Sequence, residues 1–138
     1  MVRTSDAVWQ GGLKDGKGTI STQSGGLKDT QYSFNTRFAE GVGVNPEELI
    51  AAAHASCFSM AFGAQLGERG ITAQEIRTQS AVTMENLTLT KSALTTTVVA
   101  PGADEAKVRE AADAAKTGCP ISKALGALEI TLNLTVEV

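Results

Sequence analysis

The sequence predicts an α+β fold: antiparallel sheets wrapped around one long central helix, with two chains forming an intertwined homodimer. Three observations carry that expectation. Short runs rich in Thr and Val recur between clusters of Gly, Asp and Lys. A capped segment beginning at Asn45 is apolar on nearly every face as far as Gly67 or Gly70. The chain then ends on alternation, LEITLNLTVEV, which places Leu128, Ile130, Leu132, Leu134 and Val136 on one face of a strand. At 138 residues, with 42% hydrophobic and 20% charged side chains, residues 1–138 are expected to form one domain with a real core.

Taken in order, Ala7–Gln10, Gly18–Gln23 and Gln31–Phe38 read as strands. They are separated by GGLKDGKG and SGGLKD, whose glycines are free to turn the chain. Asn45 is a good helix N-cap, Pro46 suits the first helical position, and Glu48 completes a capping-box pattern. Glu75–Glu85 and Leu87–Val99 read as paired strands with Met84, Glu85 and Asn86 near their turn, and Pro101-Gly102 breaks the second. Asp104 opens an Ala-rich helix that stops at Gly118, and Cys119-Pro120 starts a short helix, ISKAL. The order β-β-β-α-β-β-α-α-β is that of an α+β protein built from hairpins. A long helix that is apolar all round needs cover on every side, and a second copy of the chain is the simplest cover.

Composition excludes several classes. The formal net charge is −3 and Lys and Arg are not clustered, which argues against nucleic acid or an anionic membrane as a partner. The N-terminal segment MVRTSDAVWQGG lacks the apolar centre of a secretory signal, and no apolar run reads as long enough to span a bilayer. Two cysteines do not make a disulfide scaffold, so the expected address is cytoplasmic.

Those cysteines are the candidate chemistry. Cys119 lies where one helix ends at Gly118 and another begins at Pro120, a position whose unpaired N–H groups favour a thiolate. Simple packing of the sulfur is the alternative. Cys57 is set among Phe58, Met60, Ala61 and Phe62, an apolar setting that raises a thiol pKa unless a cation is near. His54, one turn earlier on the helix, is one candidate base, and a packed bystander is the alternative. Arg37 is the stronger candidate, because guanidinium stays charged when buried. Glu47 and Glu48 favour the helix N-terminus on electrostatic grounds, and Glu47 acquires a further role only if it meets Arg37.

Together, NTRF at 35–38, NPEELIAAAHASCFSMA from Asn45 and GCPISKAL from Gly118 resemble the osmotically inducible protein C (OsmC) branch of the OsmC/Ohr thiol peroxidases. The resemblance covers essentially the whole chain, read as a single OsmC-like domain. It implies reduction of organic hydroperoxides, and more weakly of hydrogen peroxide, without metal or other cofactor. By position it makes Cys57 the peroxidatic cysteine, Cys119 the resolving cysteine, and Arg37 and Glu47 the activating pair. It also implies a dithiol reductant, dihydrolipoyl or thioredoxin-type, and a role in oxidative or osmotic stress defence. Phe34, Phe38, Phe58 and Phe62 are candidate walls for an alkyl hydroperoxide, with plain core as the alternative.

On one straight helix Glu47 and Cys57 are separated by roughly 15 Å of rise. Two copies of that helix crossing antiparallel near Ala52 would instead set Glu47 of one chain beside Cys57 of the other, so the site is expected at a dimer interface. Two rival readings stand beside this one. In the first, the chain is a dimeric binding module for an apolar acyl ligand, with structural cysteines. In the second, a permanent disulfide closes a loop of about 62 residues and adds about 4 kcal/mol.

Overall fold

The computed structural model describes residues 1–138. The elements in chain order are β1 (Ser5–Gln10), β2 (Lys17–Thr22), β3 (Thr30–Tyr32), α1 (Phe34–Phe38), α2 (Pro46–Glu68), β4 (Glu75–Glu85), β5 (Thr88–Val99), α3 (Glu105–Gly118), α4 (Pro120–Ala124) and β6 (Glu129–Glu137). The chain divides into two compact units, Met1–Leu49 and Ile50–Val138.

The first unit holds an antiparallel sheet in the order β1-β2-β3. Gly18 pairs with Trp9 on one side and Tyr32 on the other. A side chain at Gly18 would collide with both rings, so glycine here lets Trp9 and Tyr32 meet with centroids 5.5 Å apart. The strand expected over Gln31–Phe38 ends early, at Tyr32, and the segment carrying Arg37 is a helix instead. The cause is a capping box. The Thr36 N–H donates to Ser33 Oγ at 3.3 Å, and the Ser33 N–H donates to Thr36 Oγ1 at 2.8 Å. Those two bonds give the backbone a helical turn in place of a sheet ladder.

A second capping box starts α2 as expected. The Glu48 N–H donates to Asn45 Oδ1 at 2.8 Å, and the Asn45 N–H donates to Glu48 Oε1 at 3.2 Å. Asn45 also donates through Nδ2 to the Thr36 carbonyl at 2.9 Å, which ties α1 to the entrance of α2.

In the second unit the sheet order is β4-β5-β6. β4 and β5 form the expected antiparallel hairpin, with a register shift at Thr83/Met84 and a tight turn at Asn86 and Leu87, both with positive φ. β6 differs from expectation: it runs parallel to β5, in register from Lys91↔Glu129 to Val99↔Glu137. The sheet is therefore mixed. α3 and α4 supply the crossover that a parallel connection requires.

Phe58, Phe62 and Leu66 of α2 are fully buried with Leu94 and Val98 of β5 and Val108, Ala111 and Ala115 of α3. His54, Phe58, Phe62 and Leu66 make up the buried stripe of α2. Ala52, Ala53, Ser56, Met60, Gly63, Ala64 and Gly67 form an exposed stripe of mostly small residues, with Met60 79% exposed. The expectation that no apolar segment reaches bilayer length is corrected by α2, whose 23 residues suffice by length and composition. Its buried aromatic stripe is that of a helix packed on a protein core.

Candidate active site

Arg37 lies in the last turn of α1 and Glu47 in the first turn of α2. Arg37 Nε donates to Glu47 Oε1 at 2.8 Å. Both residues belong to the first unit of one chain, and both are held by the caps that shape their helices. Within the single chain Arg37 is 42% exposed and Glu47 14%. The guanidinium also sits 5.4 Å from the Phe38 ring centroid. Glu47 Oε2 is buried and has no hydrogen-bond partner, so the carboxylate keeps an unmet acceptor.

Cys57 and Cys119 are both free thiols. Cys57, on α2, is partly buried, whereas Cys119, between α3 and α4, is fully buried. The two thiols lie close enough for each to shift the other's ionisation, although the residues are 62 positions apart in sequence. A shallow, largely apolar concavity of about 550 Å³ opens beside them, lined by Ala53, Ser56, Cys57, Met60, Pro120 and Ile121 among others.

Electrostatically the two thiols diverge. Burial pushes the Cys57 pKa up, and the neighbouring Cys119 pushes it further, against a smaller opposing effect of the Ile121 N–H. Burial also works against ionisation of Cys119. There it is outweighed by the Cys57 thiol, the N–H and hydroxyl of Ser122 and the Ile121 N–H, so the net shift is downward. Cys119 is the N-cap of α4, yet its sulfur forms no well-aligned capping hydrogen bond. The N–H groups therefore act on it as oriented dipoles. Burial thus acts against ionisation of both thiols, and the net shift is upward for Cys57 and downward for Cys119.

His54 is fully buried and not free to serve as a base at Cys57. Its Nδ1 is 2.6 Å from Ser92 Oγ and its Nε2 is 2.8 Å from Ser122 Oγ. Burial lowers its pKa, which keeps the ring neutral. Ser92 and Ser122 are polar members of this centre that the sequence reading missed. The available signals were Ser122 three residues after Cys119 and Ser92 at an inward position of a Thr/Val strand. The four candidate aromatic walls divide. Phe58 and Phe62 are core, 5.8 Å apart, whereas Phe34 and Phe38 pair at 4.9 Å in the first unit, with Phe38 exposed. Phe58 and Phe62 therefore line no open pocket.

A mixed α+β fold with a pair of adjoining free thiols defines a class of cysteine-centred proteins, and comparison with known proteins places the chain within it. The family described as OsmC-like protein matches residues 39–135, so this chain belongs to the OsmC-like family. It is 47% identical over 139 residues to Peroxiredoxin OsmC of Escherichia coli strain K12, covering 98% of this chain and 96% of that one. Among solved structures it is similar to the organic hydroperoxide resistance protein OhrB of Bacillus subtilis. That match has 31% identity and a TM-score of 0.67, covering 96% of this chain and 98% of the other. An OsmC-like protein of Mycoplasma pneumoniae, 16% identical, shares the fold with a TM-score of 0.80 over 100% of this chain and 99% of its own.

Proposed function

We propose that this chain is a thiol peroxidase that reduces organic hydroperoxides, and more weakly hydrogen peroxide, through Cys57 and Cys119. The observation that carries the reading is the meeting of two free thiols, distant in sequence, beside an apolar concavity. Similarity to a peroxiredoxin over nearly the full chain supports the same activity.

The Cys57 thiolate attacks the distal oxygen of the hydroperoxide. The O–O bond breaks, the leaving alkoxide takes a proton to become the alcohol, and Cys57 is left as a sulfenic acid. Cys119 then attacks that sulfur, the S–O bond breaks, water leaves and a Cys57–Cys119 disulfide forms. A dithiol of dihydrolipoyl or thioredoxin type returns both thiols by exchange and is itself oxidised to a disulfide. The reading assigns the enzyme to the cytoplasm, where such dithiols are available, in oxidative or osmotic stress defence.

Arg37 and Glu47 are the activating pair. Burial raises the Cys57 pKa, so its ionisation calls for a guanidinium in a water-poor setting. The reading places that guanidinium across a homodimer interface. The exposed small-residue stripe of α2 suits a close antiparallel crossing, and Glu47 and Cys57 lie on either side of Ala52. In such a dimer Arg37 becomes buried and the unmet Glu47 Oε2 gains a donor.

The test is to titrate reduced protein with cumene hydroperoxide and count free thiols. Rapid loss of two thiols per peroxide, abolished by Cys57→Ser, is expected. Slow loss in no fixed ratio would instead mark a binding module with structural cysteines.

A further inference from the structure

The buried imidazole has no part in the chemistry above, yet it is built into a continuous polar chain. Ser80 Oγ lies 2.9 Å from Ser92 Oγ, Ser92 Oγ lies 2.6 Å from His54 Nδ1, and His54 Nε2 lies 2.8 Å from Ser122 Oγ. Ser122 is the third residue of α4, one turn beyond Cys119, where a side chain leans back over the N-cap. Ser92, His54 and Cys119 are fully buried and Ser122 is 5% exposed, so water does not compete within this part of the chain.

We propose that His54 is a positioning residue for the resolving thiol: held by Ser92, its neutral ring orients the Ser122 hydroxyl to donate its proton to the Cys119 sulfur. The inference rests on the peroxidase reading for the word resolving, but not for the geometry.

The directions follow from donor counting. Each serine hydroxyl has one hydrogen to give, and a neutral imidazole has one N–H and one bare nitrogen. If Ser122 donates to a Cys119 thiolate, its oxygen must accept from His54 Nε2–H. Nδ1 is then bare and accepts from Ser92, which in turn accepts from Ser80. All donors point toward the sulfur. The lowered pKa of Cys119, to which the Ser122 hydroxyl contributes, agrees with this direction. Once Cys119 is in a disulfide its charge is gone, and the chain is free to reverse, with Ser122 donating to Nε2 and the ring proton moving to Nδ1. In the resolving step the thiolate electron pair forms the S–S bond and the Cys57 S–O bond breaks. The departing hydroxide leaves as water by taking up one proton from the buffer, the equivalent of the proton Cys119 lost on ionising. The hydrogen-bond chain supplies no electrons. It keeps Cys119 ionised and aimed.

His54 is the chain's one histidine, so its ring gives a single set of ¹⁵N signals. The test compares the fully reduced protein with protein oxidised by diamide, which forms the disulfide without peroxide. An Nε2–H tautomer in the reduced form that shifts toward Nδ1–H on oxidation is expected. The same tautomer in both forms would overturn the proposal. Stopped-flow oxidation by cumene hydroperoxide gives the second arm. Ser122→Ala and His54→Leu should slow disulfide closure roughly tenfold relative to sulfenic acid formation, the scale of one hydrogen bond to a charged group. His54→Gln, which keeps an N–H donor, should restore much of the loss. An unchanged ratio in the well-folded Ser122→Ala protein would also overturn the proposal. Absence of any peroxide-dependent phase in the parent protein would instead sink the peroxidase reading, and the tautomer comparison would still decide this one.

Discussion

Arg37 Nε and Glu47 Oε1 lie 2.8 Å apart, joining the end of α1 to the start of α2 within a single chain. Whatever site this pair serves, it arrives there as a preformed unit. Only Nε of Arg37 bonds the carboxylate, and the terminal NH₂ groups make no hydrogen bond within the chain. Glu47 therefore orients the guanidinium and leaves its other donors to act elsewhere.

Replacing Arg37 should be costly for chemistry and mild for folding. Arg37→Met is expected to lower the rate of Cys57 oxidation by about a hundredfold, since an adjacent opposite charge shifts a pKa by one to three units. Arg37→Lys should recover little, because a point charge cannot hold the Nε contact. Peroxide kinetics beside a denaturation curve separate the two effects.

Glu47→Ala should also reduce activity, by loosening Arg37. Mixing Glu47→Ala with Cys57→Ser chains tests where the pair acts. If two chains share each site, the heterodimer contains one wild-type site and regains activity. No rescue would mean that each chain serves itself.

Met60 stands 79% exposed on the uncovered stripe of α2. Met60→Lys should therefore shift the assembly toward monomer in sedimentation measurements, with little change in helical content. By contrast, Phe62→Ala removes a fully buried ring from the core of the second unit. It should destabilise the protein by about 3–5 kcal/mol in denaturant unfolding.

His54 predicts a pH dependence of stability. Its folded pKa is below the ordinary imidazole value of 6.5 because the ring is buried. The unfolded chain therefore binds the proton first as pH falls. The contribution is intact above about pH 6.5 and is lost progressively below it. Unfolding free energies measured between about pH 8 and about pH 5 should show this slope, and His54→Gln should flatten it.

What was legible in the sequence was mostly local. Asn45, Pro46 and Glu48 announce the start of α2 because a capping box needs only neighbouring residues. α1 was misread because five residues are too few to show helical periodicity, although Ser33 and Thr36 carried the same kind of cap. Alternation in LEITLNLTVEV revealed a strand face but is blind to direction. The helices between β5 and β6 were the overlooked sign of a parallel crossover. The role of His54 was hidden because its partners Ser92 and Ser122 are 38 and 68 residues away. The helix-start position of Cys119 pointed to N–H groups that favour its ionisation, but the larger influence on it, the Cys57 thiol, is 62 residues away and was not legible from local sequence.

The proposal at the centre of this reading is that Arg37 ionises the Cys57 thiol, whose pKa burial raises. It is tested most directly by the pH dependence of Cys57 alkylation in Cys119→Ser protein, with and without Arg37→Met. The account predicts half-maximal reactivity well below the ordinary cysteine value of about 8.5 when Arg37 is present, rising above that value when it is replaced. Identical profiles, both at or above the ordinary value, would contradict it.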